Sequence, residues 1–152
     1  MPAYFDDVLT YFREEHESNF TIDEENQIVR ASVQGENLLY ETAILWDDAT
    51  QRISFRVVNI AVVPERLRDH ACVLTNLINW QLILGNFEID MEDGEMAFRI
   101  SFDVDDGALG QKQINTHFML MLALVDKYYP AFQRLMWQDY SPMAAFRTIE
   151  EE

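Results

Sequence analysis

The sequence predicts an α+β fold of order α-βββ-α-ββ-α, an antiparallel sheet with its helices on one face. Three observations lead there. Residues 27–33, 38–46 and 51–63 alternate apolar and polar side chains between short polar breaks, the period of half-buried strands. Residues 86–91 and 95–104 alternate in the same way on either side of Asp93-Gly94, a pair suited to a tight hairpin turn. Around these strands, residues 3–17, 64–84 and 111–128 repeat apolar side chains at helical spacing.

The first helix is read from Tyr4, Phe5, Val8, Tyr11 and Phe12, with Pro2 tolerated in its first turn. The three strands that follow pair as a meander, with four-residue loops near Gly35-Glu36-Asn37 and at Asp47-Asp48-Ala49-Thr50. In that register Val33 faces Leu38, Ala31 faces Tyr40, Tyr40 faces Val57, Thr42 faces Phe55 and Ile44 faces Ile53. The other face then carries Arg30, Glu41 and Arg56 in one row of alternating charge. A slip by one residue would bury that row, so the pattern favours one pairing.

The second helix, 64–84, opens at Pro64 and closes at Gly85. It carries two apolar stripes, Leu67-Ala71-Leu74-Ile78 and Val73-Leu77-Trp80-Leu84. A surface helix needs only one, so the second implies central burial or a partner. The hairpin sets Met91 opposite Met96, Ile89 opposite Phe98 and Phe87 opposite Ile100, with Glu88 across from Arg99. The longest helix shows Ile114, Phe118, Met121, Val125 and Tyr128, widened by Leu120 and Leu124. Pro130 removes a donor and predicts a kink or break. Ser141-Pro142 begins a short tail helix. The chain therefore divides into a single domain over 1–140 and a short acidic C-terminal tail over 141–152.

Composition narrows the function classes. A chain of 152 residues that is 49% hydrophobic can bury a core. Its net charge of −16 argues against nucleic acid, because phosphate binding needs clustered Lys and Arg. Only Lys112 and Lys127 are lysines, so the acidity reads either as adaptation to high salt, a halophilic trait, or as a match to a basic partner. No basic start followed by an apolar run marks a signal peptide, and no apolar stretch reaches membrane-spanning length. A lone Cys72 suits a reducing cytoplasm, the expected location.

The carboxylates at 88–93 and 103–106 invite a calcium reading. In neither frame does glycine fall at position 6 or Glu at position 12, so a solvated acidic turn is expected, with Asp105 or Asp106 leading into the long helix. His16, His70 and His117 fall on three separate helices without a zinc pattern. His70 and Cys72, two apart on a helix, do not face each other. There is no GxSxG elbow and no phosphate loop at Gly107 and Gly110, and Glu88 and Asp90 lie on the wet face. No catalytic residue, metal ligand or cofactor is predicted. Two alternatives stay open: a small enzyme using Cys72 with a histidine, and a metal-sensing regulator using the acidic hairpin.

The block NWQLILGNFEIDMEDGEMAFRISFDVDDG, residues 79–107, carries Asn79, Gly85-Asn86-Phe87, the Asp93-Gly94 turn and Arg99, with Tyr129-Pro130 further on. With these features residues 3–137 resemble the YbjN-like family of small bacterial proteins, which is similar in fold to class I type III secretion chaperones. The resemblance implies a non-enzymatic, homodimeric protein-binding module, chaperone-like or regulatory, that holds an extended segment of a partner protein. The extra apolar stripes agree with it. Val73, Leu77, Trp80, Leu84, Leu120 and Leu124 are the candidate dimer or partner-binding residues, and the partner is expected to be a basic or amphipathic protein or peptide.

Overall fold

Strand alternation and helical stripes resolve into one six-stranded antiparallel sheet with helices packed on its apolar side. The computed structural model describes residues 3–15, 20–104 and 109–151. The strands are β1 (Phe20–Asp23), β2 (Ile28–Gln34), β3 (Leu39–Asp47), β4 (Arg52–Val62), β5 (Asn86–Ile89) and β6 (Glu95–Asp103), in spatial order β1-β2-β3-β4-β6-β5. The helices are α1 (Ala3–Glu15), α2 (Arg68–Asn79), α3 (Gln111–Trp137) and α4 (Pro142–Glu150). His16, Asp105, Asp106 and Gly107 lie outside the described residues.

The dry face gathers Val29, Tyr40, Ile44, Ile53, Phe55, Val57, Phe87, Met96, Phe98 and Ile100, all buried. Thr42 also points inward, and its hydroxyl is satisfied by donating to the Ala31 carbonyl at 2.7 Å. α3 lies against β4 and β6, and α2 against β5. α1 is held to α3 by the Phe12–Phe118 edge contact at 5.3 Å and by the Tyr11 hydroxyl donating to Asn115 Oδ1 at 2.8 Å. α4 bridges α2 and α3 with Ala145 and Ile149 buried, so the acidic tail is built into the core.

Every predicted register differs from the observed one by two residues. Val33 pairs with Tyr40, Ala31 with Thr42, Thr42 with Val57 and Ile44 with Phe55. The meander loops have the predicted length but sit one residue further along, at 35–38 and 48–51. A shift of two preserves which face each side chain takes, so the core survives while the row Arg30-Glu41-Arg56 does not. Glu41 instead lies opposite Ser32, whose hydroxyl donates to it at 3.0 Å. In the hairpin, Ile89 pairs with Met96 and Phe87 with Phe98. Gly94 has φ 83° but Asp93 is not at positive φ, so the two-residue turn is replaced by a longer one. Asp90 N–H donates to Glu95 O and Gly94 N–H to Asp90 O, at 2.9 and 2.7 Å.

Three further expectations are corrected. β1 is an addition to the expected strands: Phe20–Asp23 alternates apolar and polar residues, but four residues are too short a run to stand out from a loop. α2 ends at Asn79, not at residue 84, because the next N–H groups, of Gln81 and Leu82, turn to the carbonyls three residues back, Ile78 and Asn79. α3 runs unbroken through Pro130. The carbonyl that the missing Pro130 N–H would have bonded is that of Asp126, and Asn37 Nδ2 donates to it at 2.8 Å.

Candidate functional site

The chain leaving α2 is Trp80-Gln81-Leu82-Ile83-Leu84-Gly85. Its course is fixed at both ends. Asn79 Oδ1 accepts from Phe87 N–H at 2.9 Å while its Nδ2 donates to Phe87 O at 3.0 Å, so the side chain acts as a strand neighbour for β5. Gly85 takes φ 79°, and a Cβ there would crowd Phe98 and Ile100. Held this way, the segment projects Trp80, Ile83 and Leu84 outward, while Leu82 packs back against the core. Trp80 is 88% exposed and Ile83 98%, and with Leu84 at 44% they make a contiguous apolar patch, the kind of surface that marks an interaction site.

Ile83 and Leu84 form a ridge between two grooves. On the helix side a groove of about 460 Å³ is lined by Leu82, Ile83, Leu84, Leu120 and Leu124, with Lys127 and Tyr128 on its rim. On the sheet side a groove of about 690 Å³ runs along Ile100–Asp103 and is bounded by Ile83, Asn86, Arg52 and Arg99. The predicted residues therefore separate. Leu84, Leu120 and Leu124 come together in the helix-side groove. Val73, Leu77 and Trp80 lie on the outer side of α2, whose inner side buries Ala71, Leu74 and Ile78. Leu84 is not on that helix and leaves the stripe. Leu82 and Ile83 were missed because the segment was read as helix. The signal available was the apolar run of 82–84 stopped by Gly85.

The outer sheet face is polar. Glu88 is shared by Arg56 and Arg99 at 3.1 and 3.0 Å, and Arg52 meets Asp103 at 2.9 Å. Glu88 still reaches Arg99, now as a diagonal neighbour. The other hairpin acids bond their own turn: Asp90 accepts from Glu92 N–H and Asp93 from Glu95 N–H, each at 2.8 Å. Among the described residues no group of three or more His, Cys, Asp or Glu is placed to hold a metal ion. Cys72 Sγ lies 3.3 Å from Met91 Sδ, whereas His117 stacks near Phe55 and Phe102 and bonds the Gln113 carbonyl. No described helix is long and apolar enough to cross a membrane.

Away from the grooves, the carboxylate of Asp126 on α3 has an altered environment. Burial alone would raise the Asp126 pKa. It is lowered instead, because the carboxylate accepts from Tyr40 Oη at 2.6 Å, Glu36 N–H at 2.9 Å and Asn37 N–H at 3.0 Å. Burial, and then the bond to Asp126, push the Tyr40 hydroxyl well above its ordinary value. This network ties α3 to the β2–β3 turn, and none of its residues lines either groove.

Residues 6–134 match the YbjN family, described as "Putative bacterial sensory transduction regulator". The crystal structure of YbjN from E. coli is similar over 96% of this chain and 91% of that one, with a TM-score of 0.60 and 13% identity. The HopA1-SchA chaperone-effector complex contains a chain similar over 80% of this one and 89% of its own length, with a TM-score of 0.51 and 14% identity. A chain of the ExsC-ExsE complex is similar over 87% and 92%, with a TM-score of 0.51 and 17% identity. No curated protein matches the sequence significantly.

Proposed function

The chain belongs to the YbjN family, and on that premise we propose that it is a non-enzymatic protein-binding module, chaperone-like or regulatory, whose binding element is the ridge at Ile83–Leu84 with the groove formed by Leu120 and Leu124. The observation that carries the reading is the exposure of Ile83 beside an apolar groove, on a segment pinned by Asn79 and Gly85. A preformed apolar groove takes an amphipathic segment with little reorganisation cost. The presence of a chaperone-effector complex among structures of the same fold agrees with this reading. The outer face of α2, at Val73, Leu77 and Trp80, is where a second copy would pack to make a homodimer. We place the protein in the cytoplasm, where an unpaired Cys72 remains reduced.

The test is site-specific crosslinking. A photoreactive phenylalanine derivative replaces Ile83 in the full chain, which is then irradiated in extract of the host cell. A discrete crosslinked polypeptide is expected, and Leu124→Glu, which puts a charge into the half-buried groove, should abolish it while circular dichroism stays unchanged. Illumination that yields no polypeptide adduct, or an adduct indifferent to Leu124→Glu, refutes the reading.

A further inference from the structure

The sheet-side groove of about 690 Å³ lies across the Ile83–Leu84 ridge from the apolar groove, and its walls carry a different chemistry. Three strands present polar side chains to it. β4 supplies Arg52 and Ser54, β6 supplies Arg99, Ser101 and Asp103, and β5 supplies Asn86. Strand pairing sets them in rows: Arg52 opposite Asp103, Ser54 opposite Ser101, and Arg56 opposite Arg99, with Asn86 on the other side of Arg99. Neighbouring strands are about 4.8 Å apart, so the long side chains of the outer rows reach over the serines between them. Ser54 and Ser101 bond each other at 2.7 Å, which uses one of their two hydroxyl protons. Like charges directly opposite each other destabilise a sheet, yet Arg56 and Arg99 face each other and share the single carboxylate of Glu88. A guanidinium carries several N–H donors, and Arg52, Arg56 and Arg99 each give one to a carboxylate. Arg56 Nε is buried with no partner. Within the groove two arginines stand against one aspartate, on a chain of net charge −16. Asp47, opposite Arg52 on β3, accepts from Ala49 N–H. More distant acids are screened beyond the Debye length of about 8 Å at physiological salt, whereas an arginine in contact with a ligand is not.

We infer that this groove binds the phosphate group of a small molecule, as a phosphate monoester or the free ion. The two serine hydroxyls turn from each other to donate to it, Arg52 and Arg99 flank it from opposite rows, and the Asn86 amide closes the β5 side. Donors arriving from three strands suit a tetrahedral anion, whose oxygens point in different directions, better than a planar carboxylate. Ile83 and Leu84 border the same groove and give the body of an ester an apolar wall. This site goes beyond the protein-binding reading and does not depend on it.

Calorimetric titration of the full chain with adenosine monophosphate, inorganic phosphate and malonate, at one ionic strength set with KCl, tests the site. Saturable binding is expected for the nucleotide, for phosphate or for both, and malonate, a dianion with planar carboxylates, should bind about tenfold more weakly or not at all. Arg99→Gln should weaken phosphate binding about tenfold, and Ser54→Ala combined with Ser101→Ala about fivefold. Arg30→Gln makes the same change of charge on β2, two strands from β4 in the same sheet, and should leave binding as it was. Circular dichroism checks that each variant keeps its fold. Tighter binding of the nucleotide supports the site and identifies an ester as its ligand; equal or tighter binding of inorganic phosphate supports it and identifies the free ion. No saturable binding of either phosphate compound at about 10 mM overturns the inference. So do malonate binding as tightly as phosphate, and Arg30→Gln weakening binding as much as Arg99→Gln.

Discussion

Asp126 joins three parts of the chain that are distant in sequence. Its carboxylate receives the Tyr40 hydroxyl and the N–H groups of Glu36 and Asn37, and its own carbonyl receives Asn37 Nδ2. Gly35 permits this approach, because a Cβ there would collide with Tyr40 and Asp126. Removing the carboxylate leaves the part-buried Tyr40 hydroxyl without its acceptor and hands the turn N–H groups to water, so Asp126→Ala is expected to cost about 1–2 kcal/mol in denaturant unfolding. The pH dependence follows from the direction of the shift. A depressed folded-state pKa means that the unfolded chain binds more protons, so this contribution is present above the unfolded carboxylate pKa and is lost as pH falls through the folded one. Asp126→Asn cannot titrate, and its stability should fall less steeply than the wild type's over that acidic window. Parallel profiles for the two proteins would contradict the assignment.

At the scale of elements, the sequence showed parity but not register. Alternation told which side chains of β2, β3, β4 and β6 face the core, and Phe98 and Ile100 are buried as read. What slid the β2–β3 pairing by two residues was invisible locally. Asp126, about ninety residues away, captures the N–H groups of Glu36 and Asn37 and so centres the first turn. In the hairpin, Asp90 and Asp93 satisfy the N–H groups of Glu92 and Glu95 and stabilise a longer turn than Asp-Gly alone suggests. The candidate site was half legible for a related reason. Leu120 and Leu124 stand out on a helical stripe, but Ile83 becomes conspicuous only once Asn79 is seen to hold Phe87 and end α2 early. The unbroken α3 makes a specific prediction. If Asn37 substitutes for the donor that Pro130 lacks, the two positions are coupled. Asn37→Ala should destabilise the Pro130 protein by about 1–2 kcal/mol, and less in a Pro130→Ala background where the helix supplies its own N–H. Strict additivity in this double-mutant cycle would break the link.

For the whole molecule, charge decides how assembly responds to salt. Twenty-seven acids against eleven bases leave −16 on one chain, so two copies repel at low ionic strength. A homodimer built on the outer face of α2 would be held by apolar contacts of Val73, Leu77 and Trp80, which salt does not weaken, while screening removes the repulsion between subunits. Sedimentation should therefore show a dimer that tightens as KCl rises from about 0.05 to 1 M, as the Debye length shrinks several-fold. Trp80→Asp should return a folded monomer at every concentration of salt. The same screening should raise the thermal midpoint of the monomeric variant, as expected of a chain adapted to a saline cytoplasm. A basic partner drawn by the acidic surface would behave oppositely, binding less tightly as salt is added. Because the dimer tightens with salt whatever the acidity is for, the discriminating measurement is partner binding: a partner complex that weakens as KCl rises supports the match to a basic partner, and one indifferent to KCl contradicts it.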